Sequence, residues 1–61
     1  MDAYLFVYYE NYKGGINNLQ IAKIVTHEQY GNYIKVFSST VDKAEKYAKS
    51  WAKKNNIFLK K

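Results

Sequence analysis

Residues 3–9 are apolar or aromatic throughout, with Tyr4, Phe6 and Tyr8 on one parity and Leu5, Val7 and Tyr9 on the other. That alternation predicts a strand with bulk on both faces. Residues 10–18 hold Gly14-Gly15 and Asn17-Asn18, which tolerate positive φ and so close a hairpin. Residues 19–26 read as a second strand, in which Lys23 shares the parity of Leu19, Ile21 and Val25 and breaks strict alternation. A bulge or an edge position would accommodate it. Gly31-Asn32 marks the next turn, and residues 33–37 form a third strand with Ile34 and Val36 on one face and Tyr33, Lys35 and Phe37 on the other. These three strands make an antiparallel meander.

The period then changes. Ala44, Tyr47, Ala48, Trp51 and Ala52 fall at i, i+3, i+4, i+7 and i+8, while Lys43, Lys46, Lys49 and Lys53 lie on the opposite side, which predicts an amphipathic helix. Ser39 is the expected N-cap, with Asp42 three residues on at the positive end of the helix dipole, and Thr40 is the other candidate. Asn55-Asn56 suits a left-handed C-terminal cap, and residues 57–59 resemble a short last strand before the Lys60-Lys61 tail. The expected fold is a single α+β domain over residues 1–61: a small antiparallel sheet in the order βββαβ, with one helix on one face. Its alanines let the helix approach closely, and Trp51 is the expected anchor over Leu5, Val7, Ile21, Ile34 and Val36.

Sixty-one residues bury only a thin core, and the chain has no cysteine to staple it. A hydrophobic content of 48% argues for a folded domain rather than a tail. The start of the chain lacks the basic leader and apolar run of a signal peptide, and no stretch nears the roughly 20 apolar residues that span a bilayer. The expectation is a cytoplasmic protein without membrane attachment. Ten basic residues against five acidic give a net charge of +5, a balance that attracts nucleic acid or an acidic protein surface. All ten are lysine, and without the bidentate fork of arginine little base-specific reading is expected.

Catalytic chemistry finds no inventory. His27 beside Glu28 is one local pair, whereas nucleophilic catalysis needs a nucleophile, a base and a group that orients the base. Gly14-Gly15 matches no phosphate-loop pattern and precedes a strand. Asp2, Glu10, Glu28, Asp42 and Glu45 are scattered over separate elements, and a single histidine cannot build a zinc site. No enzyme activity, cofactor, metal or small-molecule substrate is expected.

What remains is surface. With Leu5, Val7, Ile34 and Val36 under the helix, alternation places Tyr4, Phe6, Tyr8, Tyr33, Lys35 and Phe37 on the open sheet face, where rings interspersed with lysine suit base stacking and phosphate attraction. Tyrosine is equally at home against a protein, and a homodimer could bury the same face. A second candidate is the helix ridge of Lys46, Lys49 and Lys53 with Lys43, extended by Lys54, Lys60 and Lys61. The i, i+4 pairs Asp42–Lys46 and Glu45–Lys49 would neutralise part of it, as on an ordinary solvated face.

The stretch 37–48, Phe-Ser-Ser-Thr-Val-Asp-Lys-Ala-Glu-Lys-Tyr-Ala, resembles the third-strand-to-helix junction of the small sheet-plus-helix DNA-binding domains of phage-type integrases and plant AP2 factors, and the Thr40-to-Ala44 spacing matches. Phe37 stands one residue too far from Thr40, and the basic and aromatic signature of those DNA-reading strands is absent. The capped, alanine-spaced helix before a closing strand is also similar to tiny host-takeover proteins of phages. The resemblance assigns no family. The leading expectation is a binding module for nucleic acid, or for a complex that handles it, with little sequence specificity. The alternative is a phage or mobile-element inhibitor that occludes a host protein, of the anti-CRISPR or polymerase-inhibitor type, and the third is a structural homodimer.

Overall fold

A computed structural model of the protein describes residues 2–11, 18–26 and 33–60. The Gly14-Gly15, Asn17 and Gly31-Asn32 turn positions, the His27-Glu28 pair and Lys61 lie outside the described residues. The chain runs β1 (Asp2–Asn11), β2 (Asn18–Val25), β3 (Tyr33–Ser39), α1 (Ala44–Lys54) and β4 (Phe58–Lys60). The sheet order is β3-β2-β1-β4. The first three strands form the expected antiparallel meander, and β4 adds to β1 in parallel, so the sheet is mixed rather than wholly antiparallel. The parallel edge follows from connectivity. Parallel strands need a long crossover, and α1 carries the chain over the sheet from β3 at one edge to β4 at the other.

The core is built largely of alanine. Ala44, Ala48 and Ala52 recur every fourth residue and form a buried ridge that meets Ala3, Ala22 and Ile24. Methyl groups facing methyl groups bring the helix close to the sheet, and Ile24 is the largest side chain buried in this cluster. Leu5, Ile34, Phe37, Trp51, Ile57 and Leu59 pack around its margin. The helix lies over β2 and β3, with its end leading into β4.

This geometry corrects part of the expected core. The helix-facing residues of β2 are Gln20, Ala22 and Ile24, so Ile21 points the other way. Trp51 is half-buried and stands at the flank, its ring 6.1 Å edge-on from Phe37, rather than centred over Ile21 and Val36. In β3 the register slips once: Lys35 faces Ile24 and Tyr33 faces Val25, which makes Ile34 the extra residue of a bulge. Two successive side chains of a bulge lean to the same side, so Ile34 and Lys35 both turn toward the helix. Beyond the bulge Phe37 also faces the helix, and Val36 faces out beside Lys23.

The helix starts later than its local signals predict. Ser39 Oγ accepts a hydrogen bond from Val41 N at 3.2 Å inside the β3–α1 turn, Asp42 takes a positive φ of 58°, and Lys43 occupies the N-cap without a side-chain bond. The cap comes from the sheet instead: Gln20 Oε1 accepts the Glu45 backbone N–H at 3.2 Å. The C-terminus ends as expected, with Asn56 at φ 59° and the paired bonds Ile57 N to Ala52 O at 2.8 Å and Asn56 N to Lys53 O at 3.2 Å. That pair of bonds is the Schellman arrangement. Among the described residues no helix is long and apolar enough to cross a membrane.

Candidate partner-binding face

The strand registers lay out the sheet face away from the helix row by row. Tyr4, Val25 and Tyr33 form one row, Phe6, Lys23 and Val36 the next, and Tyr8, Ile21 and Ser38 the third. On the other flank β4 sets Phe58 beside Asp2 and Lys60 beside Tyr4. Val25 and Ile21 are buried within this face, Tyr4, Phe6 and Tyr8 are half-buried, and Tyr33 and Phe58 expose 63% and 65% of their surface. Of the nominated residues, then, Tyr4, Phe6, Tyr8 and Tyr33 share the open face. Phe37 and Lys35 do not. Phe37 packs against Trp51, and Lys35 rises on the helix side, its Nζ 6.0 Å from the Phe37 ring.

At the centre of the face is a residue that alternation alone singled out only as an anomaly. Lys23 Nζ lies 5.5 Å from the centroid of Tyr8 on one neighbouring strand and 5.9 Å from that of Tyr33 on the other. An ammonium between two ring faces is attracted by both quadrupoles, which explains why a lysine is tolerated half-buried on an interior strand. Its parity was correct and its strand is not at an edge. The signal that could have placed it was the size of its neighbours: Ala22, not Ile21 or Lys23, matches the alanine spacing of the helix. Phe58 and Val36 were likewise missed as members of this face, Phe58 because β4 is too short to show an alternation of its own.

The lysine ridge occupies the other side of the molecule. Lys46, Lys49 and Lys53 are exposed on α1, and the sheet separates them from Tyr4, Tyr8 and Tyr33. Lys49 Nζ pairs with Glu45 at 2.9 Å, the expected i, i+4 contact, while Asp42 precedes the helix and is not in register to repeat it with Lys46. On the open face, Lys60 Nζ stands 3.8 Å from Asp2. The aromatic face and the lysine ridge therefore cannot grip one flat ligand together. A third surface, a groove of about 420 Å³ between α1 and the β1–β4 edge, has Leu5, Val7 and Leu59 along it with Glu45, Lys49 and Lys60 at its rim. No protein-family model, curated protein or solved structure matches this chain.

Proposed function

We propose that the protein is a small non-catalytic module of the cytoplasm that associates with single-stranded nucleic acid through the open sheet face. The observation that carries this reading is the placement of Lys23 between Tyr8 and Tyr33, on a face that also carries the exposed ring of Phe58 at its β4 edge. Bases have π-faces whatever their sequence, so exposed rings offer stacking without discrimination, and the ammonium adds attraction for the phosphate that joins two stacked bases. A flat face accepts splayed single-stranded bases more readily than a duplex, whose bases are already stacked. The absence of arginine agrees with binding that reads little sequence.

Binding of labelled homopolymeric single strands and of a duplex across a salt series tests this. The expected result is preference for the single strand, with log affinity falling by about 0.7 per log salt for each phosphate neutralised. No binding at low salt overturns it. One observation favours a protein partner instead: Asp2 offsets Lys60 on this face, and Glu10 shares the parity of Tyr8, so among the described residues the net positive charge lies mainly on the helix side. Salt-insensitive capture of a protein partner that Tyr33→Ser abolishes would move the assignment to the inhibitor reading.

A further inference from the structure

The two sheet edges differ. β4 is three residues long, whereas β3 presents seven, Tyr33–Ser39, and among the described residues nothing pairs with its outer side. An unpaired strand of that length is a row of backbone donors and acceptors whose complement is another extended strand. Lysine commonly guards such edges by projecting into the path of a partner. Here the Lys35 ammonium is instead drawn over its own Phe37 ring, and the bulge at Ile34 disrupts only one end of the strand.

We propose that β3 pairs with β3 of a second copy, antiparallel across a two-fold axis at Val36, so that two sheets join into one of eight strands. Three features of the chain fit a copy of itself. The first is side-chain pairing: an axis at Val36 sets Lys35 opposite Phe37 of the second copy, which repeats across the interface, twice, the ammonium–ring contact already present within the strand. The second is the position of the helix. Because α1 lies over β2 and β3, and strands are about 4.8 Å apart, two helices related by this axis run antiparallel roughly 10 Å from each other, the usual packing distance. The third is what those flanks carry. Tyr47 precedes Trp51 by one turn on the flank toward β3, and it is 46% exposed; the opposite flank bears the Glu45–Lys49 ion pair. The apolar flank faces the neighbour and the charged flank faces water. The two open faces become continuous, with Val36 against its equivalent at the seam.

The chain has no cysteine, so a single introduced thiol reports the contact. Residues related by the axis have Cα atoms about 4.5–5.5 Å apart, within disulfide range. Light scattering on the unmodified chain should give twice the 7.2 kDa of one copy at high concentration and fall toward 7.2 kDa on dilution. Under mild oxidation V36C should form a covalent dimer on the order of a hundredfold faster than K53C, whose thiol sits on the far side of the helix, because pairing holds two thiols at millimolar effective concentration. V36D places two carboxylates against each other at the axis while leaving each opposite its own Lys23, and it should return the mass to 7.2 kDa with unchanged far-UV circular dichroism. A mass of 7.2 kDa at every concentration overturns the proposal. So does equal cross-linking of V36C and K53C, and so does a dimer that survives V36D but is lost in Tyr8→Ser, which would indicate face-to-face packing. None of these measurements involves nucleic acid, so their outcome is separate from that of the binding test.

Discussion

Gln20 Oε1 accepts the backbone N–H of Glu45, so a side chain from the central part of the sheet caps the helix that packs on it. The first N–H groups of a helix have no partner within it and must find one. Ser39 and Asp42 stand nearby in sequence, but the turn directs Ser39 to Val41 and leaves Asp42 in the left-handed region. Gln20 is 3% exposed, and its Nε2 donates to Tyr9 Oη at 3.2 Å, so both ends of the amide are used. Helix initiation is thereby tied to docking: the cap exists only when the helix lies on β2. Gln20→Ala should leave the Glu45 N–H without its partner in a half-buried site and cost roughly 1–2 kcal/mol. Urea denaturation should show a lower midpoint with an unchanged slope. Gln20→Ser is too short to restore the bond and should behave alike.

The alanine ridge makes an opposite demand on volume. Ala48 and Ala22 are fully buried against one another's elements, and added methyl groups there must push the helix off the sheet. Ala48→Leu should cost about 1–3 kcal/mol through overpacking, a large share of the total of about 5 kcal/mol or less expected of so small a core. Trp51→Ala, by contrast, should cost less than the 3–5 kcal/mol typical of a wholly buried aromatic, because half-burial at the flank leaves less surface to lose. Thermal melts of the two variants check this. A Trp51→Ala protein that fails to fold while Ala48→Leu melts normally would mean that the ring, not the ridge, holds the helix.

All five elements were legible from period and turn chemistry, because residues such as Tyr4–Leu5–Phe6 and Ala44–Ala48–Ala52 write their periods locally. The faces were harder to read. β1 is apolar on both parities, so alternation could not say which side met the helix; it happened that Leu5 did. In β3 a single extra residue, Ile34, kept Ile34 inward but carried Lys35 and Phe37 in with it and turned Val36 out. A register slip is a property of two strands together, and neither sequence alone contains it. The same holds for Gln20: its role depends on where β2 lies beneath α1, which no local pattern encodes. What was legible at the C-terminal end was purely local, the pair Asn55-Asn56.

That local signal carries its own prediction. Asn56 holds φ 59° at the position after the cap, where a β-carbon crowds the carbonyl and asparagine is tolerated better than most residues. Asn56→Ala should be less stable than Asn56→Gly by about 1–2 kcal/mol. Both substitutions leave the backbone bonds from Ile57 and Asn56 in place and both remove the side-chain amide, so the difference between the two variants in a chemical denaturation series isolates the conformational term. If Ala and Gly variants had equal midpoints, the positive φ would not be what the position requires.

The partition of the surface into an aromatic face and a lysine ridge yields the sharpest functional prediction. If bases stack on the open face, Tyr33→Ala should weaken single-strand binding by about 1–3 kcal/mol, roughly five- to 150-fold, for each base that loses its platform. Lys23→Ala removes a charge from between Tyr8 and Tyr33, and it should both lower affinity and flatten the salt dependence by about 0.7 in slope. The triple substitution of Lys46, Lys49 and Lys53 by Gln changes the net charge far more, yet acts on the opposite side of the sheet. It should therefore reduce affinity mainly through long-range attraction, an effect that fades as salt rises above about 0.15 M and the screening length contracts to 8 Å. Fluorescence anisotropy at two salt concentrations separates the two patterns. Should the triple variant lose binding at high salt while Tyr33→Ala keeps it, the phosphate contacts belong to the helix, and the sheet face is free for a protein.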